Sequence, residues 1–340
     1  MPNHEEKANN ITLYPISTSN FNPSRNKGIF LSFVSLILLG ILPIISNSRP
    51  IELDALNFAF YLSFWELICS LPLLIIEMSH SDSGLFQKSL EKKVRNKTLI
   101  VMGITGIIFS ISTFFYVFSF EKVGTVSAVI AIQTYPLFSI LWEFLFFNKK
   151  KQPKEIIFTL IMIFGIYYLA TGGTWLITGF SPWFLVVLIV PFLWSVAHVT
   201  IKNTLDKSPI TPIQVTFFRV LISSIILFIS SSLVNGLETV FNGFLNNEFQ
   251  FFGFFMGLVY YLELINWFFA VKHVKVSVAS SITTPTPMIT MILAFFLLRE
   301  AIEPFQIIAM IIIFVSLYGL LWSGFRIQKQ LKIQSLTTPP

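Results

Sequence analysis

The chain has 340 residues, 54% of them hydrophobic and only 12% charged, with a formal net charge of +6. Soluble domains carry roughly 25% charged residues, so this composition excludes an ordinary water-soluble enzyme. At about 20 residues per membrane span, ten spans would take roughly 200 residues and leave the rest for tails and loops. A single cysteine, Cys69, excludes an internal disulfide framework and any cysteine-based metal site. The excess of Lys and Arg is better read as membrane orientation than as a nucleic-acid surface.

Taken in chain order, residues 1–27 are polar, contain no apolar run, and read as a cytosolic tail without a cleavable signal peptide. Uncharged stretches of membrane length follow at 28–48, 55–76, 98–120 and 123–147, the second holding Glu66 and the fourth Glu143. Between Glu155 and Lys202 there is no charge, and Gly172-Gly173 with the turn at 179–182 divides that stretch into two spans. The remaining spans are 209–234 with Arg219, 249–271 with Glu263, 276–298 and 304–325. The expected fold is an all-α integral membrane protein of ten transmembrane helices. With the N-terminus inside, all but four of the 23 basic residues fall in cytosolic segments. The exceptions are Arg49, Lys122 and Arg299 outside and Arg219 within a span. One helix more or fewer would destroy this bias, so the positive-inside rule supports ten spans with both ends in the cytosol of a cell-membrane protein.

The sequence repeats on itself at an offset of 151. Pro136 meets Pro287, Pro153 meets Pro304, Ala128 meets Ala279, Tyr167 meets Tyr318, and the aromatic Tyr116 meets Trp267. Residues 28–173 and 182–325 are then two five-helix units, followed by a C-terminal tail at 326–340. Five is an odd number, so the second unit is inverted in the membrane relative to the first, an architecture that places a substrate site near midplane between the halves.

The second copy reads Thr286-Pro287-Met288-Ile289, then an apolar run to Leu298, Arg299-Glu300 and Pro304. With two five-helix repeats, this resembles the EamA-type members of the drug/metabolite transporter superfamily and their P-x-x-x-L-x-x-x-x-L-x-x-E pattern. In the first copy Asn148-Lys149 stands where that pattern has Gly-Glu. Glu66 stands where the family commonly has Arg in the second span, and Phe218-Arg219 keeps the usual type in the seventh. The resemblance implies a transporter with no bound cofactor. Relatives of this kind move amino acids, other metabolites, nucleotide sugars or toxic compounds.

A charged group at mid-bilayer costs at least ~2.5–3.5 kcal/mol on insertion scales, which makes Glu66, Arg219 and Glu263 the first candidates for a substrate site. At about 1.5 Å per residue, Arg219 and Glu263 lie at similar depth on consecutive spans and could pair. Tyr260, Glu263, Asn266 and Trp267 share a helical face. In the ninth span Ser280, Thr283, Thr286 and Thr290 form a stripe beside Pro285 and Pro287, which remove two helix donors and free carbonyls toward a cavity. The matching stripe in the fourth span is Tyr135, Ser139 and Trp142, and Trp194 and His198 share a face in the sixth. For each set the alternative is ordinary packing: a buried ion pair, a hydrogen-bonded histidine, or Thr hydroxyls between helices.

The function expected is secondary-active or facilitative transport of a small metabolite by alternating access, with a proton or an exchanged solute as partner. One Arg and two Glu would suit a zwitterion such as an amino acid. The chain contains no GxxxxGK[ST] segment for ATP. A membrane enzyme acting on lipid or isoprenoid substrates is the alternative, but Asp occurs only at 54, 82 and 206 and the four His are dispersed. A non-transporting subunit is a third reading, and the uncharged fifth and tenth spans are available for a homodimer.

Overall fold

The apolar stretches fold as helices in a computed structural model that describes residues 24–80, 84–135, 137–138, 142, 153–274 and 276–337. They are α1 (Arg25–Asn47), α2 (Ala55–His80), α3 (Lys92–Val123), α4 (Thr125–Ile132), α5 (Pro153–Ala170) and α6 (Trp183–Lys207). After them come α7 (Pro212–Asn235), α8 (Leu237–Leu245), α9 (Asn247–His273), α10 (Val276–Thr283), α11 (Thr286–Leu293) and α12 (Pro304–Thr337). Among the described residues nine helical stretches are long and apolar enough to cross a membrane, the broken stretch Val278–Leu298 counted as one. The one left over, the fourth span, opens with α4, and its Pro136, Ser139 and Glu143, with residues 149–151 after it, lie outside the described residues. α12 runs on to Thr337, through most of the segment expected as a tail.

Contacts between loops and helix ends show that successive helices alternate in direction. At one end of the bundle the Ser24 N–H donates to His273 Nδ1 (3.2 Å), Thr211 Oγ1 donates to Glu77 (3.0 Å), and the Leu85 N–H donates to Gln214 (2.8 Å). This is the end rich in Lys and Arg. At the opposite end Arg49 pairs with Glu121, Asn235 donates to Asp54 (3.2 Å), and Lys122 lies 5.1 Å from the centroid of the Trp183 ring. Every one of these contacts joins segments that the positive-inside count puts on the same side.

The inverted repeat is visible in which helices touch. α1 packs on α9 as α3 packs on α6, and α2 packs on α9 as α3 packs on α7. The equivalent helices α2 and α7 meet each other, as do α5 and α12. Each contact between the two units thus has a mate related by a pseudo-twofold axis. The fifth and tenth spans, expected to be free for dimerisation, are packed on one another within a single chain.

The ninth span is not one helix. It breaks between Thr283 and Thr286, and the fourth breaks between Ile132 and Tyr135, 151 residues earlier on both sides. Pro285 and Pro287 lack the N–H groups that would have bonded the carbonyls of Ser281 and Thr283. In hydrocarbon such carbonyls need another donor. The Tyr318 hydroxyl donates to the Ser281 carbonyl (3.4 Å), and the Thr286 hydroxyl to that of Thr283 (2.6 Å). The carbonyls expected to be free for a cavity therefore each have a donor, that of Thr283 buried and that of Ser281 at the exposed side of Tyr318. The span ends in a π turn (Ala294–Leu298) and a left-handed Arg299 with φ 54°.

One element has no precursor in the hydropathy pattern. α8 lies between the seventh and eighth spans, where the sequence led us to expect a loop. Leu237, Phe241 and Leu245 recur every four residues and are exposed, while Val240 and Gly243 are buried. An apolar stripe of that kind suits a helix lying in the membrane interface. Tyr61 anchors it by donating to the Val240 carbonyl (2.9 Å), and Phe244 packs edge-on against Phe60, Tyr61 and Phe64.

Replacing Thr286 by Val keeps the shape but removes the donor that holds the Thr283 carbonyl. Leaving a buried acceptor unmet costs about 1–3 kcal/mol. We expect Thr286→Val to lower the unfolding temperature of the detergent-solubilised protein and Thr286→Ser to restore it. Equal stability of all three proteins would show that the hydroxyl has no such role.

Candidate functional site

A cavity of about 100 Å3 lies where α1, α3, α4, α6, α9 and the α10–α11 break converge. That is room for several waters or a small solute, since a water needs about 10–15 Å3 on this measure. Its lining obeys the repeat. Phe109 and Tyr260 both face it, as do Tyr116 and Trp267, Val129 and Ser280, Ile132 and Thr283, Gln133 and Thr284, and Tyr135 and Thr286. Each of these six pairs is separated by 151 residues. The cavity therefore sits on the pseudo-twofold axis, and both units contribute equivalent backbone positions to it.

The chemistry is not equivalent. In three pairs the first unit presents Phe109, Val129 and Ile132 where the second presents Tyr260, Ser280 and Thr283. Glu263, also on α9, is the one carboxylate among the described lining residues, and no described group donates a hydrogen bond to its side chain. Tyr116 is stacked between Trp194 (5.7 Å) and Tyr260 (6.3 Å). His198 is surrounded by Phe109 (5.6 Å), Tyr135 (5.8 Å), Trp194 (6.2 Å) and Trp267 (6.1 Å). The buried Trp194 Nε1–H has no acceptor among the described residues.

Of the residues the sequence points to, Tyr135, Trp194, His198, Tyr260, Glu263, Trp267, Thr283 and Thr286 come together around this cavity. Five others lie elsewhere. Trp142 donates to Ser195 Oγ (2.9 Å), Asn266 donates back to the Leu262 carbonyl (2.6 Å), and Thr290 donates to the Gly40 carbonyl (2.9 Å), tying α11 to α1. Glu66 and Arg219 form the remaining two. Arg219 pairs with Glu66 (Nη2 to Oε1, 2.9 Å) and not with Glu263, and both side chains are 2% exposed. The match in depth with Glu263 was real, but α2 and α7 are the equivalent helices in mutual contact, so the partner comes from α2. α9 also approaches α2 closely beside Glu66. A Cβ on Gly257 would fall 2.6 Å from the Leu62 carbonyl and 2.7 Å from the Glu66 nitrogen. The guanidinium lies 4.0 Å over Phe109 and 5.9 Å from Tyr260, so rings that line the cavity stand beside it.

Sequence reasoning missed Leu39, Phe109, Tyr116, Val129, Ile132, Gln133, Leu264 and Thr284 as lining residues. The offset of 151 would have found four of the eight, Phe109, Tyr116, Val129 and Ile132. Each second-unit candidate names its first-unit mate, even where the mate is apolar and attracts no notice alone.

The two ends of the cavity differ. Tyr135, His198 and Trp267 are shared with a second cavity of about 320 Å3 that extends along Lys202 and Asp206 to the basic end. The other end is tied shut by two contacts across the units, made by Glu300 and Gln306, and by one within the first unit, made by Asn47. Glu300 accepts from the Val126 N–H (3.2 Å), Gln306 donates to Ser127 (2.8 Å), and Asn47 donates to Thr125 (2.8 Å). Gly124, left-handed at φ 77°, leaves the N-terminus of α4 open to the Glu300 carboxylate. An anion there also meets the positive end of the helix dipole.

Two outcomes follow from this geometry. Removing one partner of a buried ion pair costs about 3–5 kcal/mol, whereas replacing both with apolar groups is often neutral. Arg219→Met should therefore destabilise the protein strongly, and adding Glu66→Leu should restore most of the unfolding temperature. A double variant as unstable as the single one would mean that the two residues do not act as a pair. At the other end, a charge-assisted hydrogen bond is worth about 1.5 kcal/mol, roughly a factor of ten in an equilibrium. In a Cys69→Ser, Gln133→Cys background, Glu300→Ala should raise labelling by a membrane-impermeant maleimide added on the Arg49 side by about that factor. Unchanged labelling would show that Glu300 does not hold this end closed.

Comparison with known proteins agrees with this architecture. The model of the EamA-like transporter family matches residues 26–171 and again 181–322. No curated protein matches the chain. Among solved structures, one described only as the crystal structure of a protein superposes with a TM-score of 0.57 at 14% identity. The likeness extends over 87% of this chain and 98% of that one, and speaks to the fold alone. With a family match in each repeat, spanning most of its length, this multi-pass membrane protein belongs to the EamA-like transporter family.

Proposed function

We propose that the protein moves a small polar or amphipathic solute, amino-acid-like molecules included, across the cell membrane by alternating access. The observation that carries this is the cavity on the pseudo-twofold axis, built from six pairs of equivalent positions and bounded differently at its two ends. Two similar units of opposite orientation can exchange conformations, and the exchange moves the opening from one side to the other. In the conformation described, the way out runs past His198 and Lys202 toward the basic end. Both termini and that end are assigned to the cytosol by the positive-inside rule. Energy comes from a gradient or an exchanged solute. Glu263 is the carboxylate in the cavity able to carry a proton or to hold a cationic part of the solute. In a homodimer the second copy would meet the outward faces of α5 and α12, where Ile156, Leu160 and Phe164 of α5 stay exposed.

The test starts from ligand-dependent stabilisation, which follows mass action and does not require the solute to be guessed. A thermal-shift panel of amino acids, nucleotides and organic cations identifies a ligand. Proteoliposomes preloaded with that ligand should then accumulate its labelled form by counterflow, and Glu263→Gln should abolish or change the exchange. A ligand that binds in the cavity but is never exchanged across sealed vesicles would overturn the transport reading.

A further inference from the structure

The charges around the cavity do not cancel. Glu66 and Arg219 neutralise each other at the α2–α7 contact. Glu263 is left as the lone carboxylate, with no Lys or Arg among the described lining residues. Facing it are six aromatic rings, from Phe109, Tyr116, Tyr135, Trp194, Tyr260 and Trp267. The face of an aromatic ring carries negative potential and attracts a cation, most strongly when water is excluded. A zwitterion would need a cationic partner for its carboxylate. The nearby Arg219 gives Nη2 to Glu66 at 2.9 Å and, although its buried Nε and Nη1 have no acceptor among the described residues, it does not line the cavity. With two glutamates against one arginine, the three groups keep one negative charge in excess. A free anion would meet both Glu263 and the ring faces.

Resting on the reading that this cavity is the solute site, we infer that the solute is an organic monocation, an ammonium group on an apolar or aromatic body. The ammonium lies at the Glu263 carboxylate, and the body lies between the rings stacked around Tyr116 and Trp194. This departs from the zwitterion that the bare list of one Arg and two Glu favours, because that list does not say which carboxylate the arginine takes.

The experiment is isothermal titration of the purified protein in lipid nanodiscs with probes of one size and different charge. These are phenethylammonium, 2-phenylethanol, phenylalanine and 3-phenylpropionate, with benzyltrimethylammonium as a permanent cation. The two cations should bind saturably and at least about tenfold more tightly than the neutral alcohol, the zwitterion or the anion. Glu263→Gln should remove that preference, Glu263→Asp should keep part of it, and Trp267→Leu should weaken both cations several-fold. Unfolding temperature and elution volume establish that each variant is folded, and the probe series on the unmodified protein stands without any variant. Equal binding of phenethylammonium and 2-phenylethanol, tighter binding of phenylalanine, no cation binding, or an unaffected Glu263→Gln would each overturn the inference. If another solute is exchanged by proteoliposomes while no cation binds, the monocation assignment falls and transport stands. If the cations bind but are not exchanged, transport falls and the assignment stands.

Discussion

Hydrocarbon offers no hydrogen bonds, and that one constraint governs where this chain can depart from a regular helix. The ninth span departs twice. At Pro285 and Pro287 two carbonyls lose their helical donors, and hydroxyls from Tyr318 and Thr286 replace them. At Ala294–Leu298 the helix widens, and the Glu300 N–H reaches back to the Ala294 carbonyl (3.2 Å). Irregular backbone is thus tolerated here because each irregularity carries its own donor. One departure lies at the cavity and the other at the closed end.

The same constraint acts on side chains. Three ionisable groups are taken deep into the bundle, and their fates differ because of where the pseudo-twofold axis runs. Glu66 and Arg219 sit 153 residues apart on the two equivalent helices that touch, so they occupy nearly the same place in the two units and meet across the axis. Their opposite signs turn a symmetric contact into a complementary one. Glu263 lies on α9, whose equivalent, α3, carries Ser112 at the matching position. No opposite charge stands at the equivalent position, Arg219 makes its ion pair with Glu66, and the Glu263 carboxylate faces the cavity instead.

Most of the architecture was legible because it is written in coarse quantities. Apolar runs pointed to ten spans, nine of which are seen among the described residues, and the distribution of Lys and Arg grouped the loops by side. Paired prolines revealed the repeat and its odd helix count. The site was less legible, since polarity marks residues that avoid lipid without saying what they do. Thr290 and Trp142 satisfy that need by holding helices together. Phe109 and Val129 line the cavity yet look like any lipid-facing residue. Arg219 could pair with either glutamate by depth alone, and only the packing of α2 against α7 decides between them. The helix α8 was invisible to a count of apolar runs because it is short and lies at the membrane surface.

The repeat also exposes an asymmetry that bears on transport. Glu300 holds the N-terminus of α4 at one end of the protein. At the offset of 151, the residue in the place of Glu300 is Lys149, which lies outside the described residues. A lysine cannot accept a hydrogen bond from a backbone N–H, and at a helix N-terminus it meets the positive end of the dipole. The bond that ties the Arg49 end shut therefore has no counterpart of the same chemistry at the other end. Two units with the same fold then do not give two conformations of equal energy. The difference between them resides in single substitutions such as Glu300 against Lys149, laid over a backbone that is otherwise repeated.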